Sequence, residues 1–284
     1  MRFAKGHGTQ NDFVLVFDPD DGHGLTADLA ARLCDRRAGI GGDGVLRAVR
    51  RDRAGVPGWF MDYRNADGSL AEMCGNGVRV FARYLVAHGL AEPPEFTVAT
   101  RAGDRRVWLE PDGQITVDMG AVTVLGPGQA GVCGQACQGL RISAGNPHLA
   151  CLVDRPLADF DLTRPPTLDR GQFPDGANVE LIRLTGSGTL AMRVHERGSG
   201  ETRSCGTGAV AAAAAATRAQ GQREGTWQVT VPGGTLGVVI TPDASRLTGP
   251  AVIVAEGELD PGWLAAGQPA GVPSQPVRRQ PAGR

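Results

Sequence analysis

The chain has 284 residues, is 41% hydrophobic and sets 29 basic against 30 acidic side chains for a net charge of −1. It is large enough for two substantial domains and lacks both the basic footprint of a nucleic-acid binder and a membrane-seeking basic face. Its longest uniform apolar run, Ala209 to Ala216, falls far short of the ~20 residues of a membrane span, and Met1 to Asp12 has no signal-peptide order, so a cytoplasmic protein with a small zwitterionic partner is expected.

Arg2-Phe3-Ala4 and Asp12 to Asp18 read as strands, with Gly6 to Asn11 as a loop. Leu25 to Arg37 reads as a helix with Thr26 as its N-cap and Gly39 as its stop. Gly39-Ile40-Gly41-Gly42-Asp43-Gly44 matches the glycine spacing of a dinucleotide loop. That motif has meaning only between a strand and a helix, whereas here it follows a helix and enters the strand-like Val45 to Val49. It reads as a tight loop bordering a site. Trp59 to Tyr63 alternates as a strand, Asn65 to Ser69 forms a turn, and Val78 to His88 is a helix stopped by Gly89. That helix is apolar around most of its circumference, so other structure should enclose it. Phe96 to Val117 supplies short strands with turns at Gly103-Asp104 and Asp112-Gly113.

After Met119-Gly120 the plan starts again. Arg141 to Ser143 and Leu149 to Val153 read as strands around Gly145-Asn146-Pro147-His148, Phe173 to Asn178 takes the place of the Gly39 to Gly44 loop, and Met192 to Arg197 repeats Trp59 to Asn65. Gly206 to Ala219 is a second enclosed helix, followed by strands at Trp227 to Val231, Leu236 to Ile240 and Val252 to Ala255. The Pro/Gly/Gln-rich tail, 265–284, is expected to be disordered. Met61 and Met192, Asn65 and Glu196, and Cys74 and Cys205 each stand 131 positions apart, while Asn11 and Asn146 stand 135 apart. The fold class expected is α+β, with two pseudo-symmetric domains, 1–119 and 120–248, each a curved sheet or barrel of strands around a central helix. A strand at 250–258 would complete the first, and the active site would lie at the domain interface.

Both central helices begin at a cysteine in a glycine turn, Met73-Cys74-Gly75-Asn76-Gly77 and Ser204-Cys205-Gly206-Thr207-Gly208. Cys34, Cys133, Cys137 and Cys151 have no such setting, and the C-x3-C pair lacks a second Cys/His pair for zinc, so no metal is expected. Pyridoxal phosphate needs a lysine, and the single one, Lys5, sits outside any phosphate-binding context. No cofactor is expected.

A thiol at a helix N-terminus feels the positive end of the macrodipole, which lowers its pKa below the free value of about 8.5. The unpaired N–H groups of Gly75, Asn76, Gly206 and Thr207 can hold a carboxylate. An amino acid held there places its α-carbon between two sulfurs, one removing the proton and the other returning it on the opposite face. Asn11, Asn65, Asn146 and Asn178 form a repeated set of loop amides around this pair. His148 and Glu196 can tune thiol ionisation, and Arg197 can grip a second carboxylate. His7, His23, His88 and His195 read as structural or solvated. The plainer alternative makes Cys74 and Cys205 buried helix starts or a structural disulfide.

These motifs, from Gly6 to Phe13 through Tyr63 to Ser69, Met73 to Gly77, Gly145 to His148, Ala177 to Val179, Glu196 to Gly198, Ser204 to Gly208 and Gly249 to Ala251, resemble the diaminopimelate epimerases. The resemblance implies interconversion of LL- and meso-diaminopimelate without a cofactor, a step toward lysine and cell-wall peptide. It implies that Cys74 and Cys205 are the acid/base pair and that Gly75, Asn76, Gly206 and Thr207 hold the reacting carboxylate. Asn65, Asn146, Asn178 and Arg197 would hold the distal end, with Asn11 lining the pocket and His148 and Glu196 adjusting the thiols. A homodimer is compatible with it. The chain departs from the family at Gly44, where many members carry a glutamine that touches substrate. A proline or hydroxyproline racemase shares the two-cysteine logic but has no use for a distal carboxylate clamp, and a protein cycling a Cys74–Cys205 disulfide is the non-catalytic alternative.

Overall fold

The computed structural model describes residues 1–52 and 58–266. The first half runs β1 (Arg2–Gly8), β2 (Asn11–Phe17), α1 (Ala27–Cys34), β3 (Gly44–Arg50), β4 (Trp59–Asn65), α2 (Gly75–Ala87), β5 (Glu95–Thr100), β6 (Gly103–Leu109) and β7 (Ile115–Gly120). The second runs β8 (Thr123–Val132), β9 (Gln135–Ser143), β10 (Pro147–Leu152), β11 (Thr167–Leu168), β12 (Asn178–Gly186), β13 (Thr189–Glu196), β14 (Gly200–Thr202), α3 (Gly206–Ala219), β15 (Gly225–Val231), β16 (Gly234–Ile240) and β17 (Ser245–Gly249). β18 (Val252–Glu258) and α4 (Pro261–Ala265) follow. Of the tail, only residues 265 and 266 are described, Ala265 closing α4; the disorder expected there otherwise lies outside the described residues.

Strand pairing repeats between the halves. β1 and β2 are antiparallel, β2 and β3 parallel, β3 and β4 antiparallel, β4 and β5 parallel, and β5, β6 and β7 antiparallel in turn. The same order of senses recurs through β9, β10, β12, β13, β15, β16 and β17. β7 pairs with β17, joining the halves edge to edge, and β18 returns to pair with β1 as β8 pairs with β9. The architecture is the expected α+β one, with α2 and α3 as the crossovers between β4 and β5 and between β13 and β15, and both helices contribute to one apolar core.

Enclosure explains the composition of these helices. Ala211, Ala212, Ala213, Ala215 and Ala216 have no exposed surface, and with no atom beyond Cβ they let the surrounding strands close directly onto the helix. Larger side chains there would hold the sheet away.

Several elements differ from the sequence expectation, among them β9, which starts at Gln135, and β11, β12, β14, β17 and α4, which were not expected; three further differences have a clear local reason. α1 stops at Cys34 instead of running to Arg37, because the Asp35 carboxylate accepts the N–H groups of Arg37 and Ala38, each at 2.7 Å, and offers the chain a tight turn instead. Gly6 to Gly8 belong to β1 and Asn11 opens β2, leaving a two-residue turn in which Thr9 and Gln10 take φ of 50° and 62°. Such turns usually announce themselves with Asn-Gly or Gly, and this one does not. β8 escaped because Val124 to Gly131 is rich in glycine with one proline; it is a bulged strand that tolerates both.

Ala213→Leu should overpack the α3 enclosure and lower stability by about 1–3 kcal/mol. Urea denaturation of the variant against the parent chain checks this.

Candidate active site

The two glycine-flanked cysteines cap helix starts that come together across the two halves. Cys74 and Cys205 are the N-caps of α2 and α3, with nearly the same extended backbone, φ −140° and ψ 119° against φ −124° and ψ 119°. The helix ends touch: a Cβ placed on Gly206 would lie 3.3 Å from both the Gly75 Cα and the Asn76 N, and one on Gly75 would lie 2.8 Å from Leu247 Cδ2. Only glycine allows backbone to approach backbone this closely.

A buried polar network locks the ends in register. Asn76 Nδ2 donates to Asn11 Oδ1 at 3.1 Å and to the Ser204 carbonyl at 3.2 Å. The Thr9 and Ser204 hydroxyls are 2.7 Å apart, and Arg79 Nη2 donates to Thr9 Oγ1 at 3.3 Å. The Asn76 side chain is thus committed to the scaffold.

Around this junction the remaining candidates take distinct places. Cys74 Sγ accepts the Gly77 N–H at 3.5 Å and lies 3.7 Å from Asn11 Oδ1. Asn11 is oriented in turn by Asp43 Oδ2, which accepts from its Nδ2 at 2.8 Å. Cys205 Sγ lies 3.6 Å from Thr207 Oγ1, and Glu196, whose Oε1 accepts from Thr202 Oγ1 at 2.5 Å, bears on its proton. His148 is fully buried, with Nδ1 2.7 Å from Glu180 Oε1 and Nε2 2.8 Å from Asn146 Oδ1. Asn178 Oδ1 accepts the Arg197 N–H at 2.9 Å, and the exposed Arg197 donates to the Asp175 carbonyl at 3.2 Å. Asn65 Nδ2 donates to Ser69 Oγ at 3.0 Å. The hydrogen bonds of Asn65, Asn178 and Arg197 therefore run to neighbouring loops rather than to the helix ends. Asn11, Asn65 and Asn178 terminate strands; Asn146 alone lies in a bend.

The thiols correct one expectation. Backbone N–H groups of Gly77 and Asn76 do favour a Cys74 thiolate, but burial dominates and pushes this thiol up to about 11. Cys205 is also pushed well above its ordinary value, first by burial and then by Glu196 and Glu180. The macrodipole effect presumed a solvated helix end, and here both ends lie inside protein.

Sequence reasoning missed four charged or polar participants. Glu180 is a carboxylate without exposed surface in the otherwise apolar run from Val179 to Ile182, and a Cβ on Gly208 would fall 2.9 Å from its Oε1 and 3.3 Å from Cys205 Sγ. Arg79 is its cationic analogue in α2, also without exposed surface. A lone charge in an enclosed apolar segment was the available signal for each. Asp43 orients Asn11, as described above. Tyr63 fills the room a side chain at Gly44 would need, since a Cβ there would lie 2.7 Å from its ring and 2.6 Å from the Arg64 carbonyl. Burial, then Cys74 and Glu196, hold its phenol well above the usual value and hence neutral. Lys5 is held by Asp12 at 2.6 Å and by the Gly41 carbonyl, so the only amine side chain in the sequence is engaged in structure.

Cys34 and Cys74, whose ordinary value is 9.0, are both held at about 11 by burial. The folded chain therefore keeps protons that the unfolded chain releases: this contribution is complete below 9.0 and lost as pH rises through 11. Denaturation midpoints should fall across that window, and Cys34→Ala should flatten the fall.

Comparison with known proteins gives consistent results. The family model described as diaminopimelate epimerase matches residues 3–125 and 140–258. A diaminopimelate epimerase from Thermobifida fusca is 60% identical over 270 residues, covering 91% of this chain and 98% of the relative. One from Mycolicibacterium gilvum is 51% identical, covering 94% and 99%. Among solved structures, a phenazine biosynthesis protein of the PhzF family from Bacillus anthracis superposes with a TM-score of 0.69 at 17% identity, covering 91% of this chain and 98% of that one. A hydroxyproline epimerase from Agrobacterium vitis does so with 0.63 at 14%, covering 93% and 94%. At these identities the structural likeness speaks for the fold alone.

Proposed function

Since the chain belongs to the diaminopimelate epimerase family, we propose that it interconverts LL- and meso-2,6-diaminopimelate, with Cys74 and Cys205 as the acid/base pair. The observation that carries this reading is the apposition of two cysteine-capped helix N-termini through Gly75 and Gly206. The N–H groups of Gly75, Asn76, Gly206 and Thr207 hold the carboxylate at the reacting centre. As the α-proton leaves, negative charge grows on that carboxylate, and preformed donors at two helix ends stabilise it without reorganising. One sulfur takes the proton, the other supplies one from the opposite face, and the centre inverts.

The rest of the constellation divides by depth. Asn11, held by Asp43, borders Cys74; Glu196 bears on the Cys205 proton; His148 links Asn146 to Glu180. Asn65, Asn178 and Arg197 take the distal amino acid end, where the guanidinium meets the second carboxylate. That distal clamp favours a dicarboxylate over the imino acid of a proline racemase. Engagement of Lys5 by Asp12 and Gly41 supports a route without a lysine-bound cofactor. No described helix is long and apolar enough to cross a membrane, and we place the reaction in the cytoplasm.

Reduced protein incubated with LL-diaminopimelate in deuterated solvent should incorporate deuterium at one α-carbon as meso product forms; no exchange would refute the assignment. Cys74→Ser and Cys205→Ser should each lower epimerisation by about 10²–10⁴-fold, the range for losing a positioned acid or base, with circular dichroism unchanged.

A further inference from the structure

The two halves repeat in backbone but not in charge. Arg79 lies in α2 five residues beyond Cys74, with no exposed surface. Its donors reach only neutral acceptors at long range: Nη1 to the Gly75 carbonyl at 3.5 Å, Nη2 to Thr9 Oγ1 at 3.3 Å and Nε to the Pro250 carbonyl at 3.4 Å. No ion pair among the described residues includes it. Its bed is built for it, since a Cβ on Gly8 would lie 3.0 Å from Nη2 and one on Gly249 3.4 Å from Cζ. A buried guanidinium without an anion is costly, and the ionisable group that bears on it is the Cys74 thiol.

The second half reverses this. The position 131 residues after Arg79 is Val210, buried and uncharged. Cys205 instead faces two carboxylates, Glu196 and the fully buried Glu180, whose Oε2 has no partner among the described residues. Their counterparts in the first half are neutral: Asn65 for Glu196, and, from the strand registers, Leu46 for Glu180.

We propose that Arg79 and Glu180 are positioning residues that break the symmetry of the pair: when the two thiols give up one proton between them, Arg79 directs the charge to Cys74, while Glu180, with Glu196, keeps the proton on Cys205. The inference rests on the acid/base reading of the two cysteines. Facing Cys74 are Arg79, the N–H groups of Asn76 and Gly77, the Asn11 amide, Glu196 and the neutral Tyr63 phenol. Facing Cys205 are Glu196, Glu180 with His148 behind it, Thr207 and the same phenol. The once-ionised pair is therefore set to abstract from the face Cys74 serves, and the isomer whose α-proton meets Cys205 must wait for the proton to move.

Full-length reduced protein, alkylated with iodoacetamide over a pH series, tests this when the Cys74 and Cys205 peptides are quantified separately by mass spectrometry. The pH midpoint of each cysteine, not its rate, is read, so their unequal exposure drops out. Cys74 should have the lower midpoint. Arg79→Met should raise that midpoint by about one pH unit, tenfold less thiolate at a fixed pH, while Arg79→Lys leaves it near the parent value, and Glu180→Gln should lower the Cys205 midpoint. A Cys205 midpoint at or below that of Cys74, or no response to Glu180→Gln, overturns the inference. Should Arg79→Met not fold, the parent order, Arg79→Lys and Glu180→Gln decide it. Full epimerisation by Cys74→Ser or Cys205→Ser would instead sink the acid/base reading itself, so the two failures are distinguishable.

Discussion

Backbone contact between Gly75 and Gly206 is the constraint on which the rest of the molecule turns. Two helices can meet end to end this closely only if neither carries a Cβ at the junction. Each helix must then be threaded through its own wall of strands, and α3 achieves this with alanine where α2 uses larger apolar residues that fill more space. Pairing of β7 with β17 closes the sheet behind the junction, with Leu247 of β17 and Met119 of β7 packed against Gly75. The helix ends are thus clamped between the halves, not hung on loops.

Bringing two helix N-termini together has an electrostatic consequence. Each end carries roughly half a positive charge, so the junction repels itself unless something negative or dipolar lies between. The Asn76 side chain and the Thr9–Ser204 hydroxyl pair provide dipoles, and Glu196 and Glu180 provide charge on one side. A helix start also leaves backbone N–H groups that have no partner within the helix. In the proposed reading a carboxylate answers that need, and it is the one group every α-amino acid substrate brings to its reacting carbon. On that proposal binding and catalysis draw on the same donors: those that hold the carboxylate in the ground state bear more strongly on it as the carbanion forms.

Much of this was legible in the sequence because it is local or periodic. The 131-residue repeat, the enclosed helices and their cysteine caps follow from spacing, glycine placement and apolar runs, and α3 begins and ends where its residues say it should. What was lost depends on tertiary placement. β8 hides behind glycine and proline because its pairing with β9, not its own propensity, makes it a strand. The Thr9-Gln10 turn hides because its strained backbone is held from outside, by Ser204 and Arg79. The sign of the thiol shift was misjudged for the same reason: a helix end viewed along the chain looks solvated, and only the folded sheet shows that burial outweighs its donors. The role of the Asn76 side chain was hidden too: its amide faces inward to Asn11 and Ser204, a contact across 65 and 128 residues that spacing along the chain does not show.

Duplication explains the geometry, and its imperfections explain the chemistry. A two-sided inversion needs two similar groups at mirror-related positions, which a repeated helix start supplies without further invention. Yet two identical thiols would share one charge equally, and neither would be reliably a base when substrate arrives. The residues that resolve the tie are those in which the repeat has diverged: Arg79 against Val210, Glu180 against Leu46, Glu196 against Asn65. Each is a buried or half-buried charge facing a neutral counterpart, and each sits on an element whose backbone has kept its register. Divergence confined to side chains at a fixed backbone leaves the opposed sulfurs in place while separating their proton affinities, which is the condition for one to give and the other to take.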